Sequence, residues 1–327
     1  MAINNDKFIG FFDMLGLQSI AAYDINKYSD SLIDFQTVTI GAIKKTKKEF
    51  TNCNIECYMF SDCAYIEASK LDVLIYFFRI LRLALFTKQI YFQAAITKGN
   101  LNCSSDDEQD YIRTTIFQGT DAVKVYQLQN NFKGIGIFID KSIVNLDNPK
   151  LSTKITTSIF QPDENKYQFK TYYDISFEHP NNNIGMLDTI KTLIQTYRRM
   201  RILNIRASRY YISAICTIIS NLNKNDIIQI KDDKKILTSE ITDFLFDKSI
   251  GNNELDIFRI LFLNRVYNLF KKRENSSINL SLCNAIFDQI KLSKFELLSK
   301  FKDIGEIPSY ILETQNKEFL ASYLSDT

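Results

Sequence analysis

Two stretches decide the fold: KFIGFFDMLGL (residues 7–17) and NIECYMFSDCAYIEA (residues 54–68). The apolar run before Asp13 predicts a buried strand that ends at this carboxylate. In the second stretch, two apolar runs flank Ser61 and Asp62, which predicts two strands joined by a tight turn. Each stretch therefore places an aspartate at or near the end of a strand.

Outward from these stretches, helical and strand patterns alternate. A helix is expected from Ser29 to about Phe50, capped by Ser29 or Asp30 and closed by a lysine cluster that suits the helix dipole. A second, strongly apolar helix follows at 70–88. Further segments are a strand at 90–101, an acidic loop at 104–110, a strand at 114–117, a helix opened by Gly119 and a strand at 134–140. This order predicts an α+β fold with a mainly antiparallel sheet and helices on one face.

The character of the chain changes after Pro162. One more strand is expected at 167–177, and the rest reads as helical at about 185–203, 207–222, 254–272, 281–291 and 293–302. We therefore predict a domain at 1–180 and an α-helical C-terminal region at 181–327. Five arginines lie in 196–209, where a solvated face or partner contact is the first interpretation and phosphate or nucleic-acid binding the alternative.

Composition narrows the classes of function. The 327 residues carry a formal net charge of +2, so a generally basic nucleic-acid-binding surface is not indicated and nucleic acid is an unlikely partner. The N-terminus does not resemble a signal peptide, and the most apolar window, 71–86, is interrupted by charges. These features predict a soluble, cytoplasmic protein without a membrane span. The six cysteines are expected to be free thiols, and the single histidine, His179, a surface residue.

The two aspartates are the candidate chemistry. An ionised carboxylate beside an apolar strand is costly unless something pairs with it, and Mg²⁺ prefers such oxygen ligands. Two metals held there would activate an attacking hydroxyl and stabilise a leaving pyrophosphate. The segment Met14–Leu17 offers backbone amides to a triphosphate. The alternative is an ordinary turn aspartate at each position.

Four motifs in order resemble those of class III nucleotidyl cyclases, over about residues 6–140. FIGFFDMLGLQS is similar to the first metal motif and YMFSDCAYIEA to the second. QAAITKGNL resembles the strand that in these proteins reads roughly Arg-Gly-Gly-Ile-x-x-Gly. IFQGTDAVKVYQLQ resembles the segment in which a glycine opens the last helix of the catalytic domain. The bacterial branch with a helical extension includes Pycsar-type cyclases, which this chain resembles in size.

The resemblance implies a ferredoxin-like cyclase palm and a set of roles. Asp13 and Asp62 would bind Mg²⁺ or Mn²⁺, together with the Met14 carbonyl, and the amides of Leu15, Gly16 and Leu17 would hold phosphates. The 3′-hydroxyl of a nucleoside triphosphate, by analogy CTP or UTP, would attack the α-phosphate. A homodimer, an anti-phage role and a downstream effector that responds to the cyclic nucleotide are also implied.

This chain departs from the family pattern at three positions. Gln93 stands where an arginine is expected. The asparagine and arginine that purine cyclases carry on the last helix fall near Val123 or Lys124 and at Gln127. A simple surface lysine is the first interpretation of Lys98 and of Lys124, and the alternative is that one of them substitutes as a point charge. A nucleotide sensor without turnover, a palm polymerase that makes cyclic oligomers and an interaction protein are the other hypotheses.

Overall fold

The computed structural model describes residues 7–106, 114–131, 134–144, 155–162, 167–175, 186–203, 205–222, 228–231, 234–237 and single positions between Leu245 and Arg265. His179 and the helices expected at 281–291 and 293–302 lie outside these residues. The chain divides into two units, one of Met1–Thr157 with Tyr172–Ile175 and one of Ser158–Thr171 with Ser176–Thr327. The domain boundary expected at 180 falls outside the described residues and stays a prediction.

The two deciding stretches form three strands of one sheet. Strand β1 is Phe8–Met14, β2 is Ile55–Phe60 and β3 is Cys63–Ala68. β2 and β3 form the expected hairpin, with Phe60 opposite Cys63 and two residues in the turn. Asp13 lies within β1, one residue before its end, because the ladder with the next strand continues through Met14.

The remaining strands of the sheet are β4 (Phe92–Lys98), β7 (Gly136–Ile139), β8 (Ile155–Pro162) and β9 (Tyr167–Ile175). The order across the seven strands is β2-β3-β1-β4-β7-β9-β8. β1 pairs antiparallel with both β3 and β4, whereas β4 and β7 are parallel. The predicted α+β class with a largely antiparallel sheet is confirmed, and β1 is an inner strand.

The helices of the first unit are α1 (Leu17–Tyr23), α2 (Ile25–Glu49), α3 (Leu71–Thr87), α4 (Thr120–Asn130) and α5 (Lys141–Val144). In the second unit lie α6 (Met186–Leu203) and α7 (Ile205–Asn221). Helix α2 begins four residues before the expected start because the Asp24 carboxylate accepts hydrogen bonds from the amides of Asn26 and Lys27. Asp24 is thus the N-cap, and neither Ser29 nor Asp30 has that role.

Helices cover both faces of the sheet, so the expectation of one covered face was wrong. On one face, Phe12 packs with Phe35 of α2 and with Phe77 and Phe78 of α3, at ring-centroid distances of 5.5–5.9 Å. On the other face, Ile9, Phe11 and Ala95 pack with Ala122 and Val125 of α4. Burial on both sides explains why β1 reads as a continuous apolar run without alternation.

Two segments form strands where the sequence predicted a loop or helices. Ser104–Asp106 belong to β5 (Asn102–Asp106), which pairs with β6 (Thr114–Gln118), so this part of the expected acidic loop is a strand. The C-terminal region is not purely helical, since β10 (Ile228–Lys231) and β11 (Lys234–Leu237) form a hairpin. Of the helices in the described part of the chain, none is long and apolar enough to cross a membrane.

Gly10 and Gly41 give a matched pair of stability predictions. A Cβ on Gly10 would lie 2.8 Å from the Phe78 ring and 2.9 Å from Ile66, so we expect Gly10→Ala to lower the free energy of unfolding by about 1–3 kcal/mol through overpacking. A Cβ on Gly41, in the interior of α2, meets nothing within 4 Å, and Gly41→Ala should raise this free energy by about 0.5–1 kcal/mol. Urea unfolding followed by circular dichroism measures both. Equal effects of the two variants would contradict the packing described here.

Candidate functional site

The two aspartates of the sequence prediction lie at the same end of two neighbouring strands, β1 and β3. Asp13 lies opposite Cys63 of β3 and opposite Gln93 of β4. Asp62 immediately precedes Cys63, in the turn that joins β2 to β3. Because side chains alternate along a strand, Asp13 points to the same face as Ile9 and Phe11, which is the face covered by α4.

Backbone hydrogen bonds fix the relative position of the two aspartates. The Met14 N–H donates to the Asp62 carbonyl over 2.8 Å, and the Leu15 N–H donates to the Tyr91 carbonyl over 2.8 Å. The end of β1 is therefore held between the hairpin turn and the start of β4. Ser61 supports the turn in the left-handed region, with φ of 51°. The carboxylates are thus placed by the main chain.

Electrostatics shows that the two carboxylates interact. The pKa of Asp13 rises from its ordinary 3.8 to about 6, chiefly because the side chain is buried and then because of the negative charge of Asp62. A hydrogen bond involving the Met14 backbone lowers this pKa in part. A site that concentrates negative charge at some cost to the protein favours a bound cation.

The donor set fits Mg²⁺ or Mn²⁺ better than a softer metal. Hard cations take carboxylate oxygens, and Mg²⁺ is often held by one or two carboxylates with waters and substrate phosphates in the other positions. Within the described ranges, no group of three or more histidine, cysteine, aspartate or glutamate side chains is placed to hold a metal. Two carboxylates suit a metal that a phosphate substrate helps to bind.

The segment after Asp13 turns sharply into α1. Gly16 adopts φ of 81° and ψ of 5°, a left-handed conformation that glycine adopts without strain, and its carbonyl accepts from the Ile20 N–H. The Leu15 amide already donates to Tyr91, so the predicted phosphate contacts of this segment rest on Gly16 and Leu17. The Met14 side chain is buried in the core, which leaves its carbonyl as the predicted metal ligand.

Gln93, at the position of the expected arginine, has a structural contact. Its side chain is 4% exposed, and its Nε2 donates to the carbonyl of Gln129 in the last turn of α4. This bond ties α4 to β4 directly beside Asp13. The side chain at the position of the expected arginine therefore holds the helix that covers the site.

Gln93→Leu is expected to lower the free energy of unfolding by about 0.5–1.5 kcal/mol, because the buried hydrogen bond that ties α4 to β4 would be lost, while the Gln129 carbonyl keeps the Asn131 N–H as a donor. Gln127→Leu is the matched control: Gln127 is exposed on the same helix, so its substitution should change stability by less than about 0.5 kcal/mol. Urea unfolding of both variants measures the difference. Similar costs at the two positions would show that Gln93 does not anchor α4.

The two candidate lysines lie in different surroundings. The Lys124 ammonium contacts the Asp140 carboxylate over 2.8 Å, and Asp140 also accepts from the Thr97 hydroxyl over 2.8 Å. The pKa of Asp140 falls to about 2 despite partial burial, because Lys124, the Ser142 backbone and Thr97 stabilise its charge. Lys98 ends β4 opposite Phe8, five residues along the strand from Gln93, or about 17 Å at 3.3 Å per residue. The catalytic roles of both lysines stay predictions.

One feature beside the site was missed by the sequence reading. Large side chains are exposed on the α4 face, with Phe60 at 36%, Tyr126 at 46% and Val123 at 53%. Tyr65 connects them to the core, since Phe11 lies 4.7 Å from Tyr65 and 5.4 Å from Tyr126 between ring centroids. We call Phe60, Tyr65, Val123 and Tyr126 the aromatic surface. Tyr58 and Phe60 are two residues apart in β2, so the sequence indicated that both aromatic side chains lie on one face of the strand. Only the sheet register shows that this is the face of Asp13 and α4.

No family model and no curated protein matches this chain. Among solved structures it is similar to the guanylyl cyclase Cya2, at 12% identity and a TM-score of 0.38, over 54% of this chain and 95% of that one. It is similar to a bacterial light-regulated adenylyl cyclase at 12% identity and a TM-score of 0.37, over 58% and 97%. The adenylyl cyclase CyaB from P. aeruginosa gives 12% and 0.37, over 54% and 96%. Because TM-scores of this size are low, we infer function from the residues of the site and not from these similarities.

Proposed function

We propose that this protein is a divergent nucleotidyl cyclase that converts a nucleoside triphosphate to a 3′,5′-cyclic nucleotide and pyrophosphate. The observation that carries the proposal is the pair Asp13–Asp62, which the hydrogen bond from the Met14 N–H to the Asp62 carbonyl holds on neighbouring strands. The motif resemblance supplies the reaction class. By the same resemblance, we propose CTP or UTP as substrate and a role in anti-phage signalling through a responsive effector.

The proposed roles follow from the chemistry of each group. Asp13, Asp62 and the Met14 carbonyl would hold Mg²⁺ or Mn²⁺, and the bound ion would supply Lewis-acid stabilisation of phosphate charge. Gly16 and Leu17 would donate amides to the phosphates. The oxygen of the ribose 3′-hydroxyl would bond to the α-phosphorus and its proton would pass to water, while the bond to the leaving pyrophosphate breaks. Lys124 or Lys98 would add positive charge to the site.

We propose that the catalytic form is a homodimer. The aromatic surface lies on the same face as Asp13 and exposes Phe60, Val123 and Tyr126. Exposed apolar groups clustered beside a site of charge are typical of surfaces that a partner covers. A second copy placed there would exclude water from the carboxylates and line the site from the other side.

The test is to incubate the purified protein with each of the four nucleoside triphosphates and Mn²⁺ and to analyse the products by mass spectrometry. We expect a cyclic mononucleotide and pyrophosphate from CTP or UTP, and none from a variant that carries both Asp13→Asn and Asp62→Asn. A folded dimer that yields no product from any of the four nucleotides would overturn the proposal. A product of dinucleotide mass would select the palm polymerase instead.

A nucleotide sensor without turnover is the second candidate, and one observation favours it. The cation expected opposite Asp13 is replaced by Gln93, which is buried and bonded to Gln129. A single lost charge-stabilising donor typically costs about 3–4 kcal/mol of transition-state stabilisation, so binding without catalysis is a coherent outcome. Calorimetric binding of a triphosphate without product, abolished in Asp13→Asn, would select the sensor.

A further inference from the structure

The outer face of α2 carries apolar side chains that no element of the described chain covers. Its inner face buries Ser31, Phe35, Thr39, Ala42 and Thr46. On the opposite side, Ile33 is 61% exposed and Ile40 is 49% exposed. At 100° per residue the two isoleucines differ by only 20° around the helix and form one stripe. A surface helix with a core on one side normally presents polar groups on the other.

The stripe is complementary to itself in an antiparallel arrangement. Asp30, Thr37 and Lys44 follow one another at seven-residue spacing along one edge of the stripe, and all three are exposed. A two-fold axis at Thr37 brings Asp30 of one copy beside Lys44 of the other, twice. The same axis places Ile33 within one residue of the level of Ile40 of the second copy, or about 1.5 Å along the helix. Edge positions of antiparallel helices form such ion pairs, and a two-fold contact uses the same patch on both subunits.

We propose that α2 pairs antiparallel with α2 of a second copy of this chain, across a two-fold axis at Thr37. The helix has 25 residues, about 38 Å at 1.5 Å per residue, which gives room for several layers of contact. The opposed charges select a second copy, because an unrelated partner has no reason to match this order. This contact does not use the aromatic surface and does not depend on the proposed function.

Sedimentation velocity over a range of protein concentrations tests the contact by mass. We expect Ile33→Glu to halve the mass of the assembly at a concentration where the natural protein is associated. Ile202→Glu is the matched control, since Ile202 is 87% exposed on α6 and its substitution should leave the mass unchanged. An unchanged mass in Ile33→Glu overturns the proposal, whether or not the protein makes a cyclic nucleotide.

Charge exchange and cross-linking identify the register. Asp30→Lys and Lys44→Asp should each weaken the association by about tenfold through like-charge contacts, and the combined variant should restore it to within about threefold. Thr37→Cys should form a disulfide-linked dimer on mild oxidation, faster than the natural protein or Thr87→Cys, whose cysteine would also be exposed. Failure of the combined variant to recover, or no cross-link through position 37, overturns the antiparallel pairing.

Discussion

Asp13→Asn is expected to reduce cyclase activity by roughly 10³-fold or more and, at the same time, to stabilise the metal-free protein. The activity falls because a neutral amide is a poor ligand for a hard cation, and the charge stabilisation that the metal supplies amounts to several kcal/mol. Stability rises because a buried charge that Asp62 repels is replaced by a neutral group of the same shape. Opposite effects on activity and stability are the signature of a strained functional site.

The measurements are the rate of cyclic nucleotide formation with Mn²⁺ and the midpoint of thermal unfolding with a chelator present. Asp62→Asn should act in the same direction on both quantities. Asp72→Asn, at an exposed carboxylate in the first turn of α3, is the matched control and should leave the rate unchanged. If Asp13→Asn destabilises the metal-free protein, the two carboxylates do not repel each other as described.

The second large effect is on pH. The folded pKa of Asp13, about 6, lies above its ordinary value of 3.8, so between these two values the folded state binds more protons than the unfolded state. The free energy of unfolding therefore falls as pH rises from about 4 through 6, by at most about 3 kcal/mol from this group, and it levels off at about pH 7. The contribution of Asp13 should therefore make the free energy of unfolding of the metal-free protein larger at pH 5 than at pH 7.

Metal binding has the reverse dependence on pH. The cation binds the ionised carboxylate, so Mn²⁺ affinity should weaken by up to about tenfold for each pH unit below 6 and level off above it. Calorimetric titration with Mn²⁺ at pH 5, 6 and 7 measures this dependence. In Asp13→Asn the residual affinity should vary much less over the same range. An affinity that is constant from pH 5 to 7 in the natural protein would exclude Asp13 as a ligand.

The sequence by itself predicted the strand before Asp13, the hairpin with Asp62 in its turn and the helix opened by Gly119, each within a few residues. These are local patterns, because an apolar run between turn residues fixes a strand and its end without reference to the rest of the chain. The start of α2 was placed four residues late. The capping carboxylate of Asp24 precedes the apolar period by several residues, and Ser29 and Asp30 offered a cap nearer to it.

Only the tertiary structure shows which residues lie next to these strands and helices. That Asp13 lies opposite Gln93 and next to the turn of Asp62 is a matter of strand register, which depends on pairing across long separations in the chain. The same register brings Phe60 of β2 onto the face that α4 covers and gives Gln93 its bond to Gln129. The local sequence pattern therefore determined the strands that hold Asp13 and Asp62. The raised pKa of Asp13, the hydrogen bond from Gln93 to α4 and the burial of both sheet faces depend on long-range packing.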